Sequence, residues 1–199
     1  MSTSGEHILF FSRFVEVSPI WFAEFCAQLR RRVPAVRISV AGEAIQPGRE
    51  TQYKRSVGAL AGDAASAVDW LGYVRKTELA RLYASVDCAI FPADNVPLHQ
   101  AKCSVRLATT LLHGVPVVAN AVGEQAAYGA AGSAHLVDPN STPAQFADEV
   151  IQVLNDPARR QQLGADAQKR LLAEYGWDRL GRDLSHLYQQ IVTNAASTR

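Results

Sequence analysis

Short apolar runs alternate with longer amphipathic stretches along most of the chain. The short runs are mostly continuous rather than alternating, which is typical of strands covered on both faces of a parallel sheet. The longer stretches carry apolar residues at helical spacing. The predicted strands are residues 7–11, 36–42, 67–72, 88–92, 115–120 and 134–137, and the predicted helices are residues 18–33, 49–61, 76–86, 104–113, 142–156, 157–175 and 177–192.

Strands and helices that alternate on this scale predict an α/β fold with a doubly wound parallel sheet. Two helices also carry start signals. Ser18 followed by Pro19 is a favourable N-cap and first turn, and Ser141 or Thr142 can cap the helix that begins near residue 142.

Length and charge narrow the function classes. A chain of 199 residues is one large domain or two small ones, and a net charge of +1 gives no support to nucleic-acid binding. No apolar run approaches the roughly 20 residues of a membrane span. The N-terminus also lacks the pattern of a signal peptide. We therefore predict a cytoplasmic protein without a transmembrane segment, in which Cys26, Cys88 and Cys103 are reduced thiols and two of them are buried.

Several motifs of nucleotide and hydrolase chemistry are missing from the sequence. No GxGxxG follows the first predicted strand and no GxxxxGK[ST] occurs, which argues against a dinucleotide-binding oxidoreductase and a P-loop NTPase. There is no DxD, no His/Cys cluster at ligand spacing and no GxSxG. We predict neither a metal site nor a cofactor, and composition alone identifies no catalytic residue.

Ligands of an open parallel sheet bind outside the carboxyl ends of its strands, where three loops stand out. In the first loop, Arg13 lies two residues after the first strand, and its guanidinium can donate bidentate hydrogen bonds to phosphate oxygens. A surface arginine paired with Glu16 is the alternative. In the second loop, Gly72 permits a tight exit, and the main chain of Tyr73 and Val74 can contact a flat heterocycle; Tyr73 can equally be a core residue.

The third loop, residues 91–104, leads into the helix of residues 104–113. Ser104 is a good N-cap, so the helix offers free N–H groups and a positive dipole end. Lys102 and Arg106 flank that end, where basic residues oppose the dipole. A bound diphosphate explains the mismatch, and two solvated cations are the alternative.

Helical spacing assigns the buried and open faces of this helix. Thr109 falls on or near the open side, and so does Thr110. The predicted buried face consists of Val105, Ala108, Leu111 and Leu112.

Taken together, these segments resemble the C-terminal half of GT-B glycosyltransferases, in particular the retaining family called group 1 or family 4. The resemblance runs over residues 7–192, and its most specific parts are "GYV…ELARLYASVDCAIFP" and "HGVPVVANAVGE". It implies a Rossmann-like nucleotide-sugar-binding domain over residues 7–175, preceded by a disordered tail of residues 1–6. Residues 176–199 would form a C-terminal helix and tail.

In that family, an arginine and a lysine near the first loop hold the diphosphate, and residues around "GYV" hold the base. Arg13 matches this arginine, but Val17 and Ser18 occupy the region of the lysine. The resemblance implies a ribose-binding glutamate at Thr109 and a second glutamate at Ala101, so both carboxylates are absent.

One branch of the family has an "N-R-A-K-C-P-x-K-L" sequence in the third loop, and "HQAKCSVRL" resembles it. Lys102 and Arg106 fall on the basic positions of that variant, and an acid usually stands at the position of Thr109 even there.

The resemblance covers only one of the two domains that enclose a GT-B active site. We therefore expect a nucleotide-diphosphate sugar as the ligand and a separate N-terminal half or partner chain for the acceptor. The diphosphate would contact Arg13, Lys102, Ser104 and Arg106, and the base and ribose would contact Tyr73, Val74 and Thr109. The alternative is a degenerate, non-catalytic binding or scaffold module of the same fold. A third possibility, an epimerase of related fold, is weaker because this sequence does not show the acid and histidine pattern expected of one.

Overall fold

The structure is a computed structural model that describes residues 6–197, with side chains to residue 194. Residues 1–5 of the predicted tail lie outside the described residues. In the described chain, no helix is both long and apolar enough to cross a membrane. The predicted division of the chain into domains and its cellular location stay predictions.

Six strands form one sheet, and all five neighbouring pairs run parallel. The spatial order is β3-β2-β1-β4-β5-β6, which is the strand order of the doubly wound Rossmann fold. The predicted fold class is therefore confirmed. The strands are β1 His7–Phe11, β2 Arg37–Ala41, β3 Val68–Gly72, β4 Cys88–Phe91, β5 Val117–Asn120 and β6 His135–Val137.

The helices cover both faces of the sheet and continue beyond it. The seven predicted helices are confirmed, with ends that shift by a few residues. Two short helices, α4 and α6, were not predicted because five or six residues are too few to show a helical period. The α-helices are α1 Pro19–Arg32, α2 Arg49–Ala61, α3 Lys76–Ala84, α4 Pro97–Ala101, α5 Val105–Leu112, α6 Glu124–Gly129, α7 Pro143–Leu154, α8 Pro157–Tyr175 and α9 Trp177–Ser197, and a 3-10 helix spans Gly62–Ala67.

The apolar core forms two layers, one on each face of the sheet. Side chains of a strand alternate between faces, so Ile8 and Phe10 of β1 enter one layer, and Leu9 and Phe11 enter the other. Helices α1, α2 and α7 contribute to the first layer, α3 and α5 contribute to the second, and α8 contributes to both. This two-sided burial explains why the strands appear as continuous apolar runs.

The capping predictions are confirmed at two helices. The Ser18 hydroxyl accepts a hydrogen bond from the Trp21 amide, with Pro19 in the first turn of α1. At α7 the cap is Thr142, whose hydroxyl accepts from the Gln145 amide. These caps satisfy amide groups that a helix start leaves without intrahelical partners.

Candidate functional site

A cavity of about 420 Å³ lies at the carboxyl ends of the strands. It opens beside β1 and β4, where the strand order reverses; a doubly wound sheet binds its ligands in the crevice at this point. The lining residues are Phe10, Phe11, Ser12, Arg13, Glu16, Ala41, Gly42, Glu43, Tyr73, Val74, Phe91, Pro92, Lys102, Cys103, Ser104, Val105, Arg106 and Gln125.

A close backbone contact shapes the floor of the cavity. The Ser12 amide donates to the Ala41 carbonyl at 2.9 Å, and the Gly42 amide donates to the Gly72 carbonyl at 2.8 Å. Gly42 has φ +139°, and a Cβ at this position would lie 2.0 Å from the Ser12 carbonyl oxygen. The exits of β1 and β2 therefore approach each other more closely than any residue with a side chain permits.

The Glu16 carboxylate organises the loop between β1 and α1. Its Oε2 accepts hydrogen bonds from the Ser12 hydroxyl at 3.0 Å, the Arg13 amide at 2.9 Å and the Val15 amide at 3.2 Å. Its Oε1 lies 3.0 Å from the Lys102 ammonium nitrogen. Glu16 therefore ties its own loop to the segment between α4 and α5.

The pKa of Glu16 reflects this environment. Burial raises the pKa, but the Lys102 charge, the Lys102 hydrogen bond and the amides of Arg13 and Val15 outweigh burial, so the pKa lies below its usual range. Glu16 is therefore an anion at neutral pH. The sequence-based alternative that paired Glu16 with the Arg13 side chain is wrong, because the ion pair forms with Lys102 instead.

Two arginines from different segments line the cavity. The Arg13 Nη1 donates to the Glu43 carbonyl at 3.2 Å, which holds the guanidinium near the exit of β2. The Arg106 guanidinium lies over the Phe11 ring, 5.3 Å from its centroid, in a cation–π contact. Both guanidinium groups are thus oriented by contacts that leave donors available to a ligand.

The first turn of α5 also opens onto the cavity. Ser104 stands at the N-cap position but makes no capping hydrogen bond with its side chain. Its amide instead donates to Glu124 Oε2 at 3.0 Å. A carboxylate of the chain itself therefore already lies at this positive helix end, a feature that the sequence did not predict.

Tyr73 and Val74 border the cavity on the side of β3. Tyr73 is 61% exposed, so the sequence-based alternative of a core tyrosine is wrong. Val74 packs against the core layer that contains Phe11. The loop thus presents one packed apolar side chain and one accessible aromatic ring to the cavity.

Thr109 does not line the cavity, unlike the other six predicted contact residues. Its hydroxyl donates to the Val105 carbonyl at 2.8 Å, one helical turn earlier. The cavity therefore brings together Arg13, Tyr73, Val74, Lys102, Ser104 and Arg106.

The predicted buried face of α5 is confirmed at Leu111 and at Ala108, which packs against the second core layer, but it is wrong at Val105 and Leu112, and Thr110, predicted on or near the open side, is buried. Leu107, Thr110 and Leu111 are fully buried, whereas Val105 is 63% exposed and Leu112 is 37% exposed. The apolar residues do occupy one side of this helix, but the buried face is rotated toward Thr110, and Val105 lines the cavity instead of the core. Thr110 is buried without penalty because its hydroxyl donates to the Arg106 carbonyl at 2.7 Å.

The carboxylates Glu16 and Glu124 contact the predicted site residues Lys102 and Ser104, and the sequence analysis predicted neither contact. Glu16 had a weak signal, since it lies in the same loop as Arg13 and four residues after Ser12. Glu124 follows the glycine turn after β5, and nothing in its spacing connects it to Ser104. Within residues 6–194, no group of three or more His, Cys, Asp or Glu side chains is arranged to hold a metal ion.

The three cysteines are all free thiols. Cys26 and Cys88 are buried, so the prediction of two buried thiols is confirmed, and Cys103 is exposed. Burial raises the pKa of the Cys88 thiol to about 12.

The family model that this chain matches and two of its relatives are glycosyltransferases. Residues 5–156 match the family model described as glycosyl transferases group 1. A D-inositol 3-phosphate glycosyltransferase from Frankia alni is 27% identical over an alignment that covers 98% of this chain and 48% of the relative. One from Kineococcus radiotolerans is 29% identical over 63% of this chain and 29% of the relative. The chain therefore spans less than half the length of these relatives.

Solved structures show the same fold at lower identity. Sucrose-phosphate synthase from Thermosynechococcus elongatus matches with a TM-score of 0.75 and 20% identity, over 98% of this chain and 47% of that one. HepE from Anabaena, in complex with UDP, matches with a TM-score of 0.74 and 16% identity, over 94% and 50%. The C-terminal domain of LpcC, a group 1 family protein from Francisella tularensis, matches with a TM-score of 0.70 and 17% identity, over 86% and 87%.

Proposed function

Because the chain belongs to the group 1 glycosyltransferases, we propose that it is the nucleotide-sugar-binding half of a retaining glycosyltransferase. In this proposal the cavity beside β1 and β4 holds a nucleotide-diphosphate sugar. A second half, on another chain or another segment, supplies the acceptor site and completes the active site.

The observation that carries the proposal is the convergence of three cations on one cavity. Arg13, Lys102 and Arg106 come from two segments far apart in sequence, and all three line it. Charge-assisted hydrogen bonds from such groups bind phosphate oxygens strongly. During transfer the same groups would stabilise the negative charge that develops on the leaving diphosphate, so side-chain cations would take the place of a metal ion.

The size and neighbours of the cavity support the same ligand. A volume of about 420 Å³ lies within the range of roughly 300–1,000 Å³ that small-molecule sites occupy. The main chain at Tyr73 and Val74 would contact the base. HepE, which shares the fold, has been crystallised with UDP and with UDP-glucose, which supports a uridine nucleotide as the first ligand to test.

The exposed apolar side chains of α9 support the need for a second half. The helix follows α8, and its large apolar side chains are exposed. An apolar surface of this extent is typical of a protein interface. The side chains are Trp177, Leu180, Leu184, Leu187, Tyr188, Ile191 and Val192.

A second candidate function is a non-catalytic binding or scaffold module. It is favoured by the two positions where the family resemblance implies glutamates, which hold Thr109 and Ala101. The Thr109 hydroxyl is already engaged by the Val105 carbonyl. A threonine donates one hydrogen bond to a ribose hydroxyl at most, whereas a carboxylate accepts a charge-assisted pair.

Calorimetric titration of the 199-residue chain with UDP, GDP, ADP and UDP-glucose separates the two candidates. The donor-site proposal predicts binding of at least one nucleotide diphosphate, and a loss of about tenfold or more in affinity in Arg106→Ala. Arg55→Ala is the matched control, because Arg55 is exposed on α2 and does not line the cavity. If no nucleotide binds, or if both variants bind like the wild type, the donor-site proposal fails for this chain.

A further inference from the structure

The two side chains of the Glu16–Lys102 ion pair differ in their exposure to solvent. The Glu16 side chain is 10% exposed, and the Lys102 side chain is 40% exposed. The carboxylate is therefore the buried partner and the ammonium the more accessible one, and both residues line the cavity. A lysine has three N–H donors, so Lys102 can keep one on Glu16 and direct another to a ligand.

The carboxylate is itself held in a fixed place. Three donors from its own loop converge on Oε2: the Ser12 hydroxyl and the amides of Arg13 and Val15. The Ser12 hydroxyl also accepts from the Phe14 amide at 2.8 Å, and Phe14 has φ +61°. This loop is wrapped around the carboxylate, so Oε1 points away from it toward Lys102.

We propose that Glu16 is a positioning residue, whose buried carboxylate fixes Lys102 at the cavity and thereby sets the affinity of the site for a diphosphate. The inference rests on the proposed function of the cavity. The family resemblance leaves Val17 and Ser18 where a lysine is expected, and Val17 is buried. Lys102 supplies a cation from the segment between α4 and α5 instead, and Glu16 is the group that holds it there.

The two possible roles of Glu16, positioning Lys102 or only neutralising its charge, predict opposite effects of removing Glu16 on anion binding. If Glu16 only cancels the charge of Lys102, its removal tightens the binding of an anion, because a nearby negative charge disappears. If Glu16 positions Lys102, its removal weakens binding, because a flexible lysine must be ordered by the ligand itself. The fixed loop around Oε2 favours the second case.

The first test is calorimetric titration of UDP and uridine into Glu16→Gln, Lys102→Met and the double variant. A glutamine side chain has one acceptor oxygen and one NH₂ donor, whereas the glutamate has two acceptor oxygens. Its NH₂ group would therefore face either the donors of the loop or the Lys102 ammonium, and one of these two sets of hydrogen bonds would be lost. We expect each single variant to bind UDP about tenfold more weakly, and the double variant to bind no more weakly than Lys102→Met. Uridine lacks phosphate and should bind all of them equally.

Two controls separate positioning from a general loss of structure. Glu50→Gln disrupts another carboxylate–lysine pair, with Lys54 on α2, and should not change UDP binding. Lys102→Arg keeps a cation that can still pair with Glu16 and should retain most of the affinity. Equal or tighter binding of UDP by Glu16→Gln, or additive losses in the double variant, would overturn the proposal.

A ligand-free measurement keeps this proposal distinct from the donor-site proposal. In Glu16→Gln, amide hydrogen exchange should accelerate in residues 102–104 as well as in residues 12–16. Acceleration confined to residues 12–16 would mean that Glu16 supports only its own loop, and the positioning role would be rejected. If the wild-type chain binds no nucleotide, the donor-site proposal fails, and the exchange result still decides whether Glu16 positions Lys102.

Discussion

Replacement of Gly42 by alanine is the sharpest test of how the cavity floor is built. Gly42 has φ +139°, and a Cβ added there would lie only 2.0 Å from the Ser12 carbonyl oxygen. Real Cβ atoms essentially never lie within 3.0 Å of such an atom, so one of the two backbones must move by at least an ångström. That movement would distort two neighbouring hydrogen bonds, from the Ser12 amide to the Ala41 carbonyl and from the Gly42 amide to the Gly72 carbonyl.

The expected cost follows from these two effects. A side chain in a sparsely populated backbone region costs about 1–3 kcal/mol. Disturbing two hydrogen bonds adds about 0.5–1.5 kcal/mol each. Gly42→Ala should therefore lower the free energy of unfolding by about 2–6 kcal/mol, a large share of the roughly 5–15 kcal/mol that stabilises a typical domain.

Urea unfolding followed by circular dichroism measures this loss as a change in midpoint at constant m-value. Gly58→Ala is the matched control, because Gly58 lies in α2 and a Cβ added there would have no neighbouring atom within 4 Å. Alanine should raise stability there by about 0.5–1 kcal/mol. A loss below about 1 kcal/mol in Gly42→Ala would refute the reasoning about the close approach of β1 and β2.

Two further predictions concern α5 and the ion pair. Leu107→Ala should cost about 2–5 kcal/mol because Leu107 is fully buried, whereas Val105→Ala should stay within about 0.5 kcal/mol; equal losses in urea unfolding would contradict the observed face of α5. The pKa of Glu16 is lowered in the folded chain, so its stabilising contribution is complete above the ordinary value of 4.5 and is lost as the pH falls through the folded pKa. The free energy of unfolding of the wild type should therefore decrease more steeply than that of Glu16→Gln between about pH 5 and about pH 3, and parallel pH profiles would contradict the role of Lys102 in that shift.

The fold followed from the sequence because its signals are local. The run "HILFF" is apolar at nearly every position, and β1 occupies the same residues, with successive side chains entering opposite core layers. Ser18 with Pro19 marked the start of α1 for a similarly local reason, since a cap requires only neighbouring groups. The short α4 and α6 escaped prediction because five or six residues do not show a helical period. Their close approach was not predictable either: a Cβ at Gly123, the residue before α6, would lie 2.4 Å from the carbonyl oxygen of Gln100 in α4.

The candidate site was predictable only in part. The rule that ligands bind at the carboxyl ends of parallel strands is enough to place Arg13, Lys102 and Arg106 near one another. The rule says nothing about which groups pair. Glu16 and Lys102 are 86 residues apart, and their contact depends on how two loops cross the same sheet edge.

Local sequence signals were enough to predict the parallel α/β architecture and the edge of the sheet at which the cavity lies. Both follow from periodicity and chain direction, which are encoded residue by residue. The three-dimensional structure was needed to show that Glu16 contacts Lys102, that Glu124 lies at the start of α5, and that Leu107 rather than Val105 is buried. These features depend on distances between segments remote in sequence, and such distances are set by packing rather than by local pattern.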